Sequence, residues 1–493
     1  MKFQFMVMFL FSIINFIGAQ ENKKPNILFI AIDDLRPELN CYGENHMVTP
    51  NIDKIAERGI LFNNAYCQQA VCSPSRNSLL TGLRPDAIGI YDLYTFFRTK
   101  IPNVVTIPQQ FKLHGYKTES VGKIFHTSHG NRNDTLSWNK THNLRKFLKK
   151  IKKINSGDTT DLQSDFPKII GKKLPFHSSE APEEDMTDAI ISKIGVQRLK
   201  ILSKADKPFF LAVGFMKPHL PFVAPKKYWN LYDASKIKIP ERKSPIGIPV
   251  FSMTNFGELR KYHGIPKEIE SKYLSENLSR KLIHGYRASV SMIDNQVGKL
   301  FNTLKDLNII DNTIIILWGD HGFKLGDYGL WCKHSNCELD TRAPLIISAP
   351  GFKKGIKTNS ITEFVDIYPT LCELAGIDVP NEVEGKSLVP ILKNPLEEVK
   401  KFAVSQYPKG KELGYDHKRE IMGYTITDGK YRYIKWQSYE DENKVYAEEL
   451  YNHKDDRLSH RNLANEKQFE KILIYLRENL KVELSGHKKY SSL

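Results

Sequence analysis

NILFIAIDD, residues 26–34, is the stretch that decides the fold. Its first seven residues are almost wholly apolar, the composition of a strand buried on both faces. Two carboxylates, Asp33 and Asp34, come directly after it. In open α/β sheets ligands bind beyond the carboxyl ends of the strands. The residues just past each apolar run therefore matter as much as the run itself.

Downstream, TPNIDKIAERG (49–59) reads as a helix. Thr49 is its N-cap, Pro50 its first residue, Ile52, Ile55 and Ala56 its apolar face, and Gly59 its stop. TIPQQFKLHG (106–115) repeats that grammar before the strand-like KTESV (117–121). KPFFLAVGF (207–215), TIIILW (313–318) and APLIISAP (343–350) are further strands. Ile283, Tyr286, Val290, Ile293, Val297, Leu300, Phe301 and Leu304 fall at helical spacing on one long helix. This alternation predicts an α/β fold with a large, mainly parallel central sheet flanked by helices. Past about residue 400, AVSQYP, MGYTITDG and YRYIKWQSY look like antiparallel strands, followed by a helix around 466–480. The expected division is a leader over 1–20, a main body over 21–395 and a smaller C-terminal α+β subdomain over 396–493.

The leader, MKFQFMVMFLFSIINFIGAQ, has one lysine, an apolar run from Phe3 to Ile17, and small residues at Gly18 and Ala19. It reads as a secretory signal cleaved near Ala19 or Gln20, the rival reading being an uncleaved anchor, for which the run is short. The chain is thus expected to be exported, periplasmic or secreted if bacterial, without stable membrane insertion. Six cysteines in 493 residues make no disulfide scaffold, and none has zinc-type spacing. Cys332 and Cys337 are placed either to pair across a loop or to stay thiols. The formal charge of +16 fits a polyanionic partner or simply a lysine-rich proteome. For an exported chain the partner is a sulfated or uronate-rich polysaccharide rather than nucleic acid. The densest basic run, Arg145–Lys153, reads as an exposed helical insertion.

Four strand ends share one chemistry. Asp33 and Asp34 follow the first strand. Lys123 and His126 follow KTESV, His219 follows KPFFLAVGF, and Asp320 and His321 follow TIIILW. Together they suggest a metal-centred site for an anion. Three carboxylates favour a hard divalent cation such as Ca2+, for which a His321 nitrogen is an uncommon ligand. QAVCSPSRNSLLTG (69–82) adds a helix start at Cys72, where backbone amides favour an anion, with Arg76 one turn later.

CSPSR has the C-x-P-x-R form of the type I sulfatases, whose cysteine is oxidised to formylglycine. The DD pair, the GK-x-x-H element, KPHLPF, GDHGFKLGDYGLWCKHS and LYNHKDDRLSHRNLA fall in that family's order. Within it, the DH of GDHG, IYDLYTFFR (90–98) and SQYP followed by IMGYTI resemble the iduronate 2-sulfatase branch and its bacterial polysaccharide-degrading relatives. The 141–173 region departs from the pattern as an insertion, and Cys332 and Cys337 flank Lys333 where thiols are not expected.

The resemblance implies an alkaline-phosphatase-like fold, a catalytic domain over 21–395 and a formylglycine-generating maturation enzyme as partner. It implies that Asp33, Asp34, Asp320 and His321 hold the metal together with residue 72. The hydrate of formylglycine 72, aided by Arg76, attacks sulfur. His126 takes the proton as sulfate leaves, and Lys123, Lys333 and His219 grip the sulfate oxygens, with His219 protonating the leaving alcohol. The substrate so implied is a 2-sulfated uronic acid, with an algal polymer such as ulvan or carrageenan fitting as well. Asp92–Arg98 and the insertion are the expected sugar-contacting loops. Two rival readings are a phosphoesterase of the alkaline phosphatase superfamily and a catalytically silent polysaccharide-binding protein.

Overall fold

The structure, a computed structural model, describes residues 24–142, 168–169, 172–410, 420–454, 458 and 460–487. The leader, the basic run and most of the 141–173 insertion lie outside the described residues.

Among the described residues the central sheet has eight strands: β1 Asn26–Asp33, β2 Ile60–Phe62, β3 Lys117–Gly122, β4 Lys140–His142, β5 Phe209–Pro218, β6 Thr313–Gly319, β7 Leu345–Ser348 and β8 Ile356–Thr358. Their order is β8-β2-β7-β6-β1-β5-β3-β4. Only β7 runs antiparallel to its neighbours, β6 and β2, so the sheet is mainly parallel as expected. The apolar run explains the central place of β1. Leu28, Ile30 and Ile32 enter the core on one face, and Ile27, Phe29 and Ala31 the core on the other. All six are fully buried, and each large side chain contributes about 1.5–3 kcal/mol.

The helices that shape the site and its surroundings are α1 Pro50–Arg58, α2 Cys72–Thr81, α3 Ile107–Leu113, α4 Thr187–Leu202, α5 Gly257–Arg260, α6 Glu276–Asp306 and α7 Glu470–Gly486. The eight apolar residues read at helical spacing are all buried on α6. Thr106 caps α3 with its side chain, accepting from the Gln109 amide at 3.3 Å. Thr49 stands at the N-cap of α1 but its hydroxyl makes no cap bond. Asp294 of α6 accepts from the amides of Asn51 (2.9 Å) and Ile52 (2.7 Å) instead. A long-range carboxylate has taken the local cap's place.

Beyond residue 400, β9 Ala403–Lys409, β10 Ile421–Thr427, β11 Tyr431–Ser438 and β12 Val445–Asn452 form an antiparallel sheet in chain order. One face buries Val404, Ile426, Tyr433 and Leu450 against Leu473, Leu476 and Leu480 of α7. Other contacts grip the loop carrying Lys333. Arg432 donates to Glu338 at 2.6 Å, Lys409 to the His334 carbonyl at 2.9 Å, and Gly423 accepts from Asn336 at 2.9 Å. All six cysteines are free thiols, so Cys332 and Cys337 are unpaired.

Candidate active site

Parallel strands end on one side of a sheet, and β6, β1, β5 and β3 are consecutive neighbours. Asp320 and His321 follow β6, Asp33 ends β1 with Asp34 next, His219 follows β5 and Lys123 follows β3. β1 lies between β6 and β5, which puts its two aspartates in the middle. Asp34 has φ 59°, a conformation that costs a non-glycine residue about 1–3 kcal/mol and that clusters at functional sites. The surroundings hold it there. Its amide donates to Asp320 Oδ1 at 2.9 Å, and its carbonyl accepts from the Tyr286 hydroxyl of α6 at 2.8 Å.

Helix α2 brings in Cys72 and Arg76. All ten of its residues are buried, and it ends on Gly82 at φ 69°. A Cβ on Gly82 would meet Val383 and Tyr368 within 2.9 Å. Cys72 Sγ lies 3.4 Å from His321 Nε2 and 3.9 Å from Asp34 Oδ1. Arg76 is fully buried and divides its fork between the flanking carboxylates, giving Nε to Asp320 (2.9 Å) and NH2 to Asp33 (3.0 Å). Its NH1 reaches the carbonyls of Lys123 (2.5 Å) and Ile124 (3.0 Å).

Lys123 leaves β3 where the backbone passes close to β5. A Cβ on Gly214 would sit 2.0 Å from the Lys123 carbonyl oxygen, so the approach requires glycine. Lys123 Nζ then donates to Asp33 at 2.5 Å. Lys333 donates to both oxygens of Asp34, at 2.9 and 2.8 Å. His219 turns Nδ1 to the Leu220 carbonyl at 2.7 Å, leaving Nε2 3.9 Å from Asp34 Oδ2. His126 places Nε2 2.7 Å from the Ser128 hydroxyl and 3.2 Å from His129 Nδ1, while its own Nδ1 is buried without a hydrogen-bond partner. Asp33, Cys72, Lys123, His126, His219 and Lys333 line one cleft of about 650 Å³.

Charge in this cleft is arranged rather than neutral by default. Burial would raise Asp33, but Lys123 and Arg76 outweigh it and hold the carboxyl well below its usual range. Burial would lower Lys333, yet Asp34 and Glu258 carry it well above. His219 is raised against burial by Asp34 and Glu258, despite the opposing Lys333. Burial, then Lys123 beside it, pushes His126 down to about 2, so its ring is neutral. Cys72 is pushed well above the thiol range by burial and by Asp33. A buried, protonated thiol is a poor nucleophile.

The donor set fits a divalent cation. Ligand atoms of Asp33, Asp34, Cys72 and His219 lie within 4.8 Å of one another, as do those of Cys72, Asp320 and His321. His321 gives its Nδ1 side to the Gly322 carbonyl at 2.9 Å, which leaves Nε2 as the lone pair facing the carboxylates. Sequence reasoning missed Glu258, on α5. Its carboxylate lies 3.0 Å from His219 Nε2 and 2.9 Å from Lys333 Nζ. No motif surrounds it, and its partners are far off in the chain. Of the 92–98 loop, Leu93 reaches the cleft, while Arg98 is held by Asp134 at 2.9 and 2.7 Å. Lys173, at the end of the expected insertion, lines the cleft mouth.

Comparison with known proteins gives one consistent answer. The sulfatase family model matches residues 25–377, and a model described as N-sulphoglucosamine sulphohydrolase, C-terminal, matches 326–485. Iduronate 2-sulfatase of Homo sapiens is 33% identical, over 90% of this chain and 92% of its own. An ulvan-active sulfatase of Formosa agariphila is 27% identical, over 78% and 68%. Among solved structures, BT4656 in complex with its substrate D-glucosamine-2-N,6-O-disulfate superposes with a TM-score of 0.73 at 24% identity. That match covers 94% of this chain and 98% of the other, a likeness of fold.

Proposed function

The chain belongs to the sulfatase family and is a sulfuric ester hydrolase, and from that premise we propose that it is exported and desulfates a sulfated polysaccharide or its oligosaccharides. The sugar carrying the sulfate is a uronic acid of the iduronate 2-sulfate type, or a residue of an algal polymer such as ulvan. The names of the two relatives favour these classes, and the cations at the cleft suit an anionic sugar. The reading rests on one observation before the rest: Cys72, at the first residue of a buried helix, faces His321 and Asp34 at the carboxyl ends of the strands.

Converted to formylglycine and hydrated, residue 72 supplies a geminal diol, one hydroxyl of which attacks sulfur and displaces the sugar alcohol; the second hydroxyl then loses its proton, and sulfate is expelled as the aldehyde reforms. A divalent ion, Ca2+ in this reading, supplies positive charge for the sulfate oxygens. Asp33, Asp34, Asp320 and His321 would hold it together with residue 72. Arg76 keeps Asp33 and Asp320 in place beneath residue 72. Lys123 and Lys333 present N–H donors to the sulfate oxygens. His219 brings Nε2 to the leaving oxygen and gives it a proton. His126 accepts the proton released from residue 72.

The test is production with a formylglycine-generating enzyme and calcium, with conversion of residue 72 confirmed by mass. Sulfate release is then measured from a 2-sulfated uronate disaccharide, a hexosamine-sulfated control and ulvan oligosaccharides. Release from the uronate disaccharide or the ulvan oligomers is expected. Release from the hexosamine control alone would overturn the substrate class, and silence on all three from fully converted protein would overturn the glycan reading.

A further inference from the structure

Glu258 has no part in the metal set, the nucleophile or the sulfate clamp. It comes from α5, a four-residue helix between β5 and α6, and it is the carboxylate among the cleft-lining residues that touches both His219 and Lys333. Oε1 lies 3.0 Å from His219 Nε2 and accepts from Lys333 Nζ at 3.3 Å, while Oε2 pairs with Nζ at 2.9 Å. The side chain is only 15% exposed.

The short helix is tied down well enough to act as a mount. Asn255 accepts from the Gly257 amide at 3.0 Å, and Leu259 is fully buried. Arg260 reaches the carbonyls of Asn255 (3.1 Å) and Pro266 (2.6 Å) and covers the Phe256 ring at 3.9 Å. A carboxylate on such a mount loses little freedom when it pairs, which is the condition for orienting another group.

Resting on the sulfatase reading, we infer that Glu258 is a positioning residue that sets His219 and Lys333 as one unit, aligning the leaving-group donor with the sulfate clamp. His219 has two anchors. The Leu220 carbonyl can only accept, so it fixes Nδ1 as a donor and turns Nε2 into the cleft. Glu258 then fixes where Nε2 points. Lys333 shares one of those anchors, with Asp34 on one side and Glu258 on the other. Its ammonium donors are directed at these two carboxylates. Whatever Asp34 does on meeting a cation, Glu258 is the partner that keeps Lys333 in register with His219. A donor displaced by about 1 Å loses on the order of a hundredfold in rate, which is the margin such a residue protects.

The test uses the converted, calcium-loaded enzyme and three variants, E258Q, H219A and the double variant. Glu258→Gln keeps the shape and removes the charge, and melting curves confirm that it folds. On the glycan sulfate cleaved by the wild type, E258Q is expected to lower kcat about 10- to 100-fold. In the H219A background Glu258→Gln should cost less than it does in the wild type, because only its hold on Lys333 is then left to lose. A kcat for E258Q within about twofold of wild type, or losses that multiply in the double variant, would overturn the inference.

Two readouts need no turnover. In protein labelled with 15N-histidine, E258Q should move the His219 Nε2 resonance and leave His126 in place; an unmoved His219 signal sinks the proposal. Calcium affinity of E258Q by calorimetry should match wild type, and a loss of about tenfold would make Glu258 a metal ligand instead. Wild-type silence on every sulfated glycan would refute the glycan reading, while the resonance measurement still decides Glu258.

Discussion

Arg76→Ala in the unconverted, metal-free protein should be among the most destabilising single changes available near the site. The guanidinium is fully buried and makes four hydrogen bonds, two to the carboxylates of Asp33 and Asp320 and two to the carbonyls of Lys123 and Ile124. Asp33, Asp34 and Asp320 are matched in this cleft by Arg76, Lys123 and Lys333. Removing one partner of a buried ion pair costs about 3–5 kcal/mol, because the remaining charge stays buried and uncompensated. Against a total stability of about 5–15 kcal/mol that is a large fraction. Arg76→Lys should be milder, since it keeps the charge but has no planar fork to span two carboxylates and two carbonyls. The assay is urea unfolding of wild type, R76K and R76A in EDTA and again in millimolar calcium, comparing midpoints and slopes. In EDTA the order of stability should be wild type, then R76K, then R76A. Calcium should raise R76A more than wild type, because three carboxylates then face two cations. An R76A midpoint equivalent to a loss below about 1 kcal/mol in EDTA would refute the charge-matching argument.

Cys72→Ala should abolish sulfate release while leaving the fold intact, and a normal rate from that variant would sink the proposed mechanism. His126→Asn should flatten the loss of stability in acid. The folded histidine sits near 2, below its unfolded value, so its contribution is present above about pH 6.5 and lost as pH falls from there. At pH 5 the variant should recover about 2 kcal/mol relative to wild type; parallel pH curves would exclude this. Thiol titration in denaturant should read six groups for unconverted protein and five after full conversion, since all six cysteines are free. A titre of four in the unconverted protein would mean that a disulfide forms.

The strand-end residues were legible because each comes within a few residues of a strand-like run, and a parallel sheet puts such ends side by side. Asp33, Lys123, His219 and Asp320 could be placed from that rule alone, and their convergence follows from the β6-β1-β5-β3 order. Glu258 was not legible. It lies on a four-residue helix with no periodicity, 39 residues from His219 and 75 from Lys333, and only tertiary folding brings the three together. β12 escaped for a different reason. VYAEELYN carries two glutamates and little alternation, and it pairs as a strand beside β11, from which Trp436 donates to Glu449 across the sheet. Thr49 shows the limit of local grammar, since its cap position was right and its bond was supplied by Asp294 from α6.

The placement of Cys72 sets two effects against each other, and their sizes decide which chemistry the position suits. A helix N-terminus stabilises a negative charge by about 0.3–1 kcal/mol, rising to about 2 in partly buried sites, and ordinarily lowers a thiol. Lys123 and Lys333 pull in the same direction. Against them stand burial, with Cys72 only 2% exposed, and the charges of Asp33 and Asp320. Burial and the carboxylates win, and the thiol stays protonated. The same carboxylates that silence a thiolate are the groups that suit a divalent ion, whose two charges would reverse the local field. The neutral hydrate proposed at residue 72 would not depend on a stable anion in the resting state, and the helix N-terminus would then face the charge that develops during the reaction. The arrangement therefore disfavours cysteine chemistry for the same electrostatic reason that it favours sulfate-ester chemistry.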